Sequence, residues 1–514
     1  MKPSDELFQL IKSLTKSEKR YFKLFSSLQS GQKNYMRLFD AIEEQKVYDE
    51  AAIKKQFEGE TFIKHLPSEK NHLFNLILKS LRQFHSDKTA AAQLQEILRN
   101  IELLFNKALY KECHKLIKRG KKIAYKYEKF YFLLDLIDWQ KRLIEEDLHF
   151  GKFDQDMNNL VDEETDCLEK LRNQAEYQKL YSQINYVFRR GGYNRNEEEQ
   201  KIVQSIVNHP LIKGKNTALS TKAATACYYI KGMCAVTEKN LEEEKINFER
   251  VVTIMEENPP IMQELPKRYL RALNNLMFAY LDFRDFDNFF KLNEKIRNLQ
   301  GKPFFDSIDI EMKIFTLTRN ALLLGYETMG QYDKAINELV PDILQGIEHY
   351  KDKINKEEEI LFYYNISALY FGKGMHKEAL RYLNMVLNVK EEKLRQDVLI
   401  FAHFFNLIIH FELGNYDLLE YIIKSTKRLA KKKQKFYKIE STIIKYMKKL
   451  IKAGNKFDQM PVFEEFKKEI NEVLKDPFES VVTEYFDINT WLESKLSGKT
   501  IEEIKRERLS LKNA

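Results

Sequence analysis

Apolar residues recur along the chain at helical spacing, and the pattern is interrupted by a turn that returns every 40 to 48 residues. The clearest unit has Tyr326 four positions before Gly330, Tyr332 two after it, Ala335 five after it and Leu339 nine after it. A second copy follows 44 residues later with Tyr370, Gly374, Ala379 and Leu383. Weaker copies of the turn, with a small residue and an aromatic two or three after it, continue at Gly414 to Tyr416 and at Gly454 to Phe457. Upstream the period continues at Gly191 to Tyr193, Gly151 to Phe153 and Ala108 to Tyr110, and more loosely at Arg284 to Phe286 and Lys239 to Leu241. The turn chemistry predicts a residue with positive φ, followed by a ring that plugs the gap between two helices. Before this ladder, Thr15 and Glu18 form a capping-box pattern, and helices are predicted over Asn34–Gln45, Asp49–Phe57 and Ser68–Phe84.

Tyr, Gly, Ala and Leu at these offsets resemble the tetratricopeptide repeat, a helix-turn-helix unit of about 34 residues. The longer period here makes each helix longer by about five residues. Pro210, Pro259, Pro260 and Pro303 stand where one unit hands over to the next. The resemblance implies an all-α fold: a right-handed α-solenoid of tetratricopeptide-like hairpins over residues 87–475, about nine in number. Residues 1–86 are expected to form an N-terminal helical cap, and 476–514 a C-terminal helical cap or tail. The opening segment from Ser13 to Phe22 and the overall composition are also similar to tetratricopeptide proteins of Bacteroidota.

Composition agrees with helices. Only 17 Gly and 10 Pro occur in 514 residues, too few turn-formers for a strand-rich protein. Phe and Tyr number 35 and 27, enough for a large core. Four cysteines do not make a disulfide framework, and core positions are expected for them. No apolar run has the length of a membrane span, so a soluble, cytoplasmic chain with no membrane partner is expected.

Catalytic patterns are thin. Ser497 to Thr500 matches the end of a phosphate-binding loop, but Glu493 stands where its first glycine belongs. Cys227 and Cys234 lack partners for a zinc site, and Asp282, Asp285 and Asp287 lack the glycine and glutamate of a calcium loop. Neither a metal, a cofactor nor an enzymatic activity is expected.

Two regions are candidates for binding. On the first helices of the repeats, positions nine or ten before the turn carry Asn274, Asn275, Asn320 and Asn365, with Arg271, Arg319 and Tyr364 nearby. The resemblance places these in a concave groove that takes a protein or peptide segment, with Asn facing its backbone and Arg its carboxylates. The second region is basic. Residues 424–456 sum to +12, whereas the other 481 residues sum to −4. Lys424, Lys427, Arg428, Lys431, Lys435 and Lys438 are predicted on one helix face, with Lys432 and Lys433 beside them. That surface suits an anionic partner, either nucleic acid or an acidic protein. The expected function is therefore a non-catalytic interaction scaffold. The alternative is a nucleic-acid-associated regulator that binds RNA through the basic region. Its other form reads DNA through an N-terminal unit, with Lys70, Asn71, Asn75, Lys79 and Arg82 on the reading helix, while the repeat array senses a peptide.

Overall fold

The computed structural model describes residues 4–27, 34–146, 153–191, 197–351, 353–389, 395–432 and 436–513. All regular structure among them is helical. Two compact units divide the chain, Met1–Leu168 and Glu169–Ala514.

The first unit begins with α1 (Glu6–Ser13), α2 (Lys16–Ser27), α3 (Asn34–Glu44), α4 (Glu50–Gln56) and α5 (Leu66–Phe84). Their apolar faces enclose Ile11, Phe22, Phe39, Ile42, Leu73 and Ile77. The capping box forms as its residues predict: Glu18 N–H donates to Thr15 Oγ1 at 3.2 Å, and Thr15 N–H to Glu18 Oε2 at 2.7 Å. Helices α6 (Ala90–Phe105), α7 (Tyr110–Lys126) and α8 (Phe130–Glu146) pack in sequence, and α9 (Phe153–Gly191) follows.

In the second unit, α10 (Glu197–Val207) and α11 (Pro210–Lys213) precede a series of helix pairs. These are α12 (Thr221–Glu238) with α13 (Leu241–Glu257) and, after α14 (Pro259–Glu264), α15 (Pro266–Asp282) with α16 (Phe286–Arg297). Helix α17 (Ile308–Thr328) pairs with α18 (Tyr332–Lys334) and its continuation α19 (Val340–Tyr350). Then come α20 (Lys356–Gly372) with α21 (His376–Leu387), α22 (Gln396–Glu412) with α23 (Tyr416–Lys432), and α24 (Lys438–Ala453) with α25 (Lys456–Val473). The first helices α15, α17, α20 and α22 also touch one another in succession. The chain ends in α26 (Pro477–Ser480), α27 (Ile488–Ser497) and α28 (Ile501–Asn513).

The hairpins share one turn. A residue with positive φ stands at Lys239, Arg284, Gly330, Gly374 and Gly414. The next N–H then reaches the carbonyl five residues back, at 2.9, 2.8, 2.8, 2.9 and 3.0 Å, at Asn240, Asp285, Gln331, Met375 and Asn415. This is a Schellman cap, which satisfies a helix-end carbonyl and reverses the chain. Asn240, Asp285 and Asn455 then cap the following helix with their side chains. Two of these turns, at Lys239 and Arg284, use a side chain where glycine would be strain-free, at a cost of about 1–2 kcal/mol each. The turns predicted at Gly151 and Gly191 fall largely on residues outside those described.

Rings lock successive hairpins together, though less regularly than expected. Tyr332 is fully buried, and a Cβ at Gly372 would lie 2.5 Å from its ring. Only glycine lets α20 approach it. The ring after Gly454 behaves differently: Phe457 is 88% exposed. It sits three positions past the turn rather than two, a rotation of about 100° that turns it to solvent.

The segment across the first helices and an adjoining arginine cleft

The C-terminal segment covers part of the face formed by the first helices. Tyr364 of α20 donates its hydroxyl to the carbonyl of Tyr485 at 3.1 Å. The Tyr485 ring stacks on Phe401 of α22 with centroids 4.4 Å apart, and its hydroxyl donates to Asp397 at 2.8 Å. Phe486 enters between Phe371 and Phe405. Trp491, 1% exposed, meets Phe411, Phe463 and Phe466 edge to face and donates its indole N–H to Glu412 at 2.6 Å. Beyond it, Lys505 pairs with Glu327 of α17, and Lys373 pairs with Glu502 at 2.9 Å. The Ser497 to Thr500 stretch is a helix boundary here: Gly498 ends α27 with φ of 73°, and Thr500 with Glu503 forms a capping box for α28.

The groove residues expected from the repeats divide between two environments. Tyr364 is buried under the segment, and Asn365 lines a small cavity between it and α17 and α20. Asn365 Nδ2 also donates to Asn320 Oδ1 at 3.3 Å, while Asn275 Nδ2 donates to Tyr229 Oη at 3.3 Å. Recurring asparagines therefore link one first helix to the previous one. Arg319 pairs with Asp342 at 2.8 Å and lies over Phe315. Asn274 leaves its Oδ1 buried with no hydrogen-bond partner among the described residues.

Arg271 belongs to an open cleft of about 520 Å³ between α9, α12, α15 and the start of α17. Its Nη1 donates to Tyr181 Oη at 3.0 Å. One turn earlier, Arg268 donates through Nη1 to Lys222 O at 3.2 Å and to Thr225 Oγ1 at 3.1 Å. The rings of Tyr181 and Tyr229 lie 5.6 Å apart behind them. Neither arginine forms an ion pair among the described residues; Lys267 and Asp309, also in the lining, pair with each other at 2.5 Å. Burial depresses the Arg268 pKa, and the Arg271 charge adds to that against the opposing phenols of Tyr181 and Tyr229. Burial likewise pushes the Tyr229 phenol up to about 12. At the rim, Phe304 holds a φ of 70°, a strained conformation for a bulky side chain. Compared with known families, curated proteins and solved structures, the chain matches none. The site thus stands on its own geometry.

The basic region is split. Helix α23 ends at Lys432, and a new helix starts at Lys438 because Glu440 accepts from Tyr437 N–H at 3.1 Å and Glu479 from Lys438 and Ile439 N–H at 2.9 Å. Lys438 is therefore not on the face of Lys424, and Lys433 and Lys435 lie outside the described residues. On α23, Lys424, Lys427, Arg428, Lys431 and Lys432 are exposed and form no ion pair among the described residues. Lys445 and Lys449 of α24, by contrast, pair with Glu469 and Glu465.

In the first unit, Lys70 is tied to Glu50 at 3.0 Å and to Tyr48 at 2.7 Å, and Asn75 donates to Asn71, whereas Lys79 and Arg82 are exposed. All four cysteines are buried, and none is in a disulfide. Among the described residues no cluster has the donors for a metal ion, and no helix is long and apolar enough to cross a membrane.

Proposed function

We propose that the protein is a non-catalytic interaction scaffold: a tetratricopeptide-like α-solenoid, capped by N-terminal helices, whose inner face holds a segment of a partner protein. The observation that carries this reading is the chain's own segment from Tyr485 to Trp491, held along α20 and α22 by aromatic insertion and carbonyl hydrogen bonds. The same kind of face continues over α12 and α15, where the arginine cleft is open. A rigid face of this sort binds without ordering itself, which keeps the entropic cost of association low. The test is affinity capture from nuclease-treated lysate of the source cells, comparing the wild-type chain with Arg271→Ala/Asn274→Ala. One enriched protein that disappears in the variant supports the reading; an unchanged set of captured proteins removes it.

A second reading concerns α23. Tyr421 is 74% exposed and continues one stripe through Lys424, Arg428 and Lys431, a combination of stacking ring and cations that suits single-stranded nucleic acid. Fluorescence anisotropy with a labelled 20-nucleotide strand tests it. Steep salt dependence, lost in Lys424→Glu/Arg428→Glu, supports it, and no binding at about 0.05 M salt overturns it.

A further inference from the structure

We propose that the cleft between α9, α12 and α15 is a phosphate-monoester site, with Arg268 and Arg271 gripping the phosphoryl oxygens beside the hydroxyls of Tyr181 and Tyr229. The inference names the ligand chemistry of the open part of the binding face, and rests on that face being a binding face.

The first argument is charge. A guanidinium withdrawn from water without an acid beside it is costly, and burial of such charges is ordinarily accompanied by pairing. Here Arg268 and Arg271, both half-buried, stand on one helix three residues apart, and neither has a carboxylate partner among the described residues. Lys267 and Asp309 neutralise each other. Glu264 also lines the cleft. The missing counter-charge is that of a ligand.

The second argument is donor number. Arg268 and Arg271 engage only their Nη1 atoms in the hydrogen bonds described, leaving Nε and Nη2 on both. The Tyr181 hydroxyl accepts from Arg271 and keeps its own hydrogen for a ligand. Two forked cations and phenolic donors suit three acceptor oxygens better than two. A phosphate monoester brings three, with a charge of about −1.5 to −2 at neutral pH, against −1 for a carboxylate. The third is shape and strain. The cleft, about 520 Å³, has room for more than the phosphoryl group, and the strained Phe304 at its rim lies where ligand-contacting loops store strain.

The phosphoryl group can come from a small phosphomonoester or from a phosphorylated side chain of a partner protein. Isothermal titration of the full chain at pH 7.5 separates them, with inorganic phosphate, a phosphoserine decapeptide, its unphosphorylated twin, and glutamate as probes. The phosphorylated probes are expected to bind. Arg268→Gln and Arg271→Gln should each weaken them about tenfold or more, the loss of a charge-assisted hydrogen bond. Tyr181→Phe keeps the ring and removes one hydroxyl, and should weaken binding by a smaller factor without affecting folding. Binding should also fall below about pH 6, where the ester dianion takes up a proton and becomes a monoanion. Equal affinity for inorganic phosphate and phosphopeptide assigns the small-molecule source; tenfold preference for the phosphopeptide assigns the protein source. No heat with any phosphorylated probe at millimolar concentration overturns the proposal. So does unchanged binding by folded arginine variants, or glutamate binding as tightly as phosphate. If capture from lysate still depends on Arg271 while phosphate probes fail, the phosphate assignment falls and the scaffold reading stands.

Discussion

Replacing Trp491 by alanine tests whether the C-terminal segment is held on the first helices by its side chains. The indole is 1% exposed and lies between three phenylalanine rings at centroid distances of 5.9 to 6.3 Å, with its N–H on Glu412. Truncating a large buried aromatic costs about 3–5 kcal/mol, transfer and cavity terms together. Glu412 keeps Lys495 as a partner at 2.5 Å, so no additional uncompensated charge is expected. If residues 169–514 melt together, their unfolding entropy of roughly 0.7 kcal/mol/K converts that loss into a melting-point drop of about 4–7 °C. Trp491→Phe retains most of the apolar contact and loses the hydrogen bond to a charged acceptor, a cost of about 1.5–3 kcal/mol. The assay pairs calorimetry with hydrogen exchange over residues 477–513. Trp491→Ala should lose protection there before the rest of the unit does. Unchanged exchange in the segment, with a melting point within 1 °C of wild type (roughly 0.7 kcal/mol on the same scale), would refute the reasoning.

Other outcomes follow from single contacts. Gly372→Ala places a Cβ 2.5 Å from the immobile Tyr332 ring, so overpacking of about 1–3 kcal/mol should outweigh the gain of about 1 kcal/mol in helix propensity and lower the melting point. Tyr332→Phe removes a buried hydroxyl that has no hydrogen-bond partner among the described residues, and should leave the protein at least as stable in the same melt. Glu244 is held up to about 8 by burial, and by the charges of Asp282 and Glu484 after that. Because the folded protein binds this proton more tightly than the unfolded chain, stability should fall as pH rises from about 4.5 through 8. Glu244→Gln should therefore raise the melting point at pH 8.5 and change it little at pH 4.5.

The hairpin turns were legible because their chemistry is local. A glycine at the left-handed position, a capping side chain after it and a small residue such as Ala335 or Ala379 facing the partner helix are each visible within ten residues. Lys239 and Arg284 occupy the same backbone position without glycine, and only the period betrayed them. The break in the basic stretch was missed because Glu479, which caps α24, lies 41 residues from Lys438. The cleft was half legible. Arg271 stood out, but Arg268, Tyr181 and Tyr229 did not; the available signal was the pair of arginines three apart near the start of a proline-led helix. The docking of the C-terminal segment had no local signature, since its contacts join residues as far apart as Glu327 and Lys505. Its one clue was three large aromatics, Tyr485, Phe486 and Trp491, in a stretch otherwise rich in charge.

The two halves of the first-helix face differ in a way that directs the search for a partner. Over α20 and α22 the groups that would recognise a segment are already satisfied: Tyr364 by a carbonyl, Asp397 by Arg395 and Tyr485, Glu412 by Trp491 and Lys495. Displacing that segment would expose Trp491 and its ring neighbours together, so its loss competes with several kcal/mol of burial. Over α12 and α15 the balance is reversed. Arg268 and Arg271 have no carboxylate partner among the described residues, and an anionic ligand there would offset the cost of burying the Arg268 charge. A binder that must displace nothing has the thermodynamic advantage, which makes the arginine cleft the first place to test for recognition.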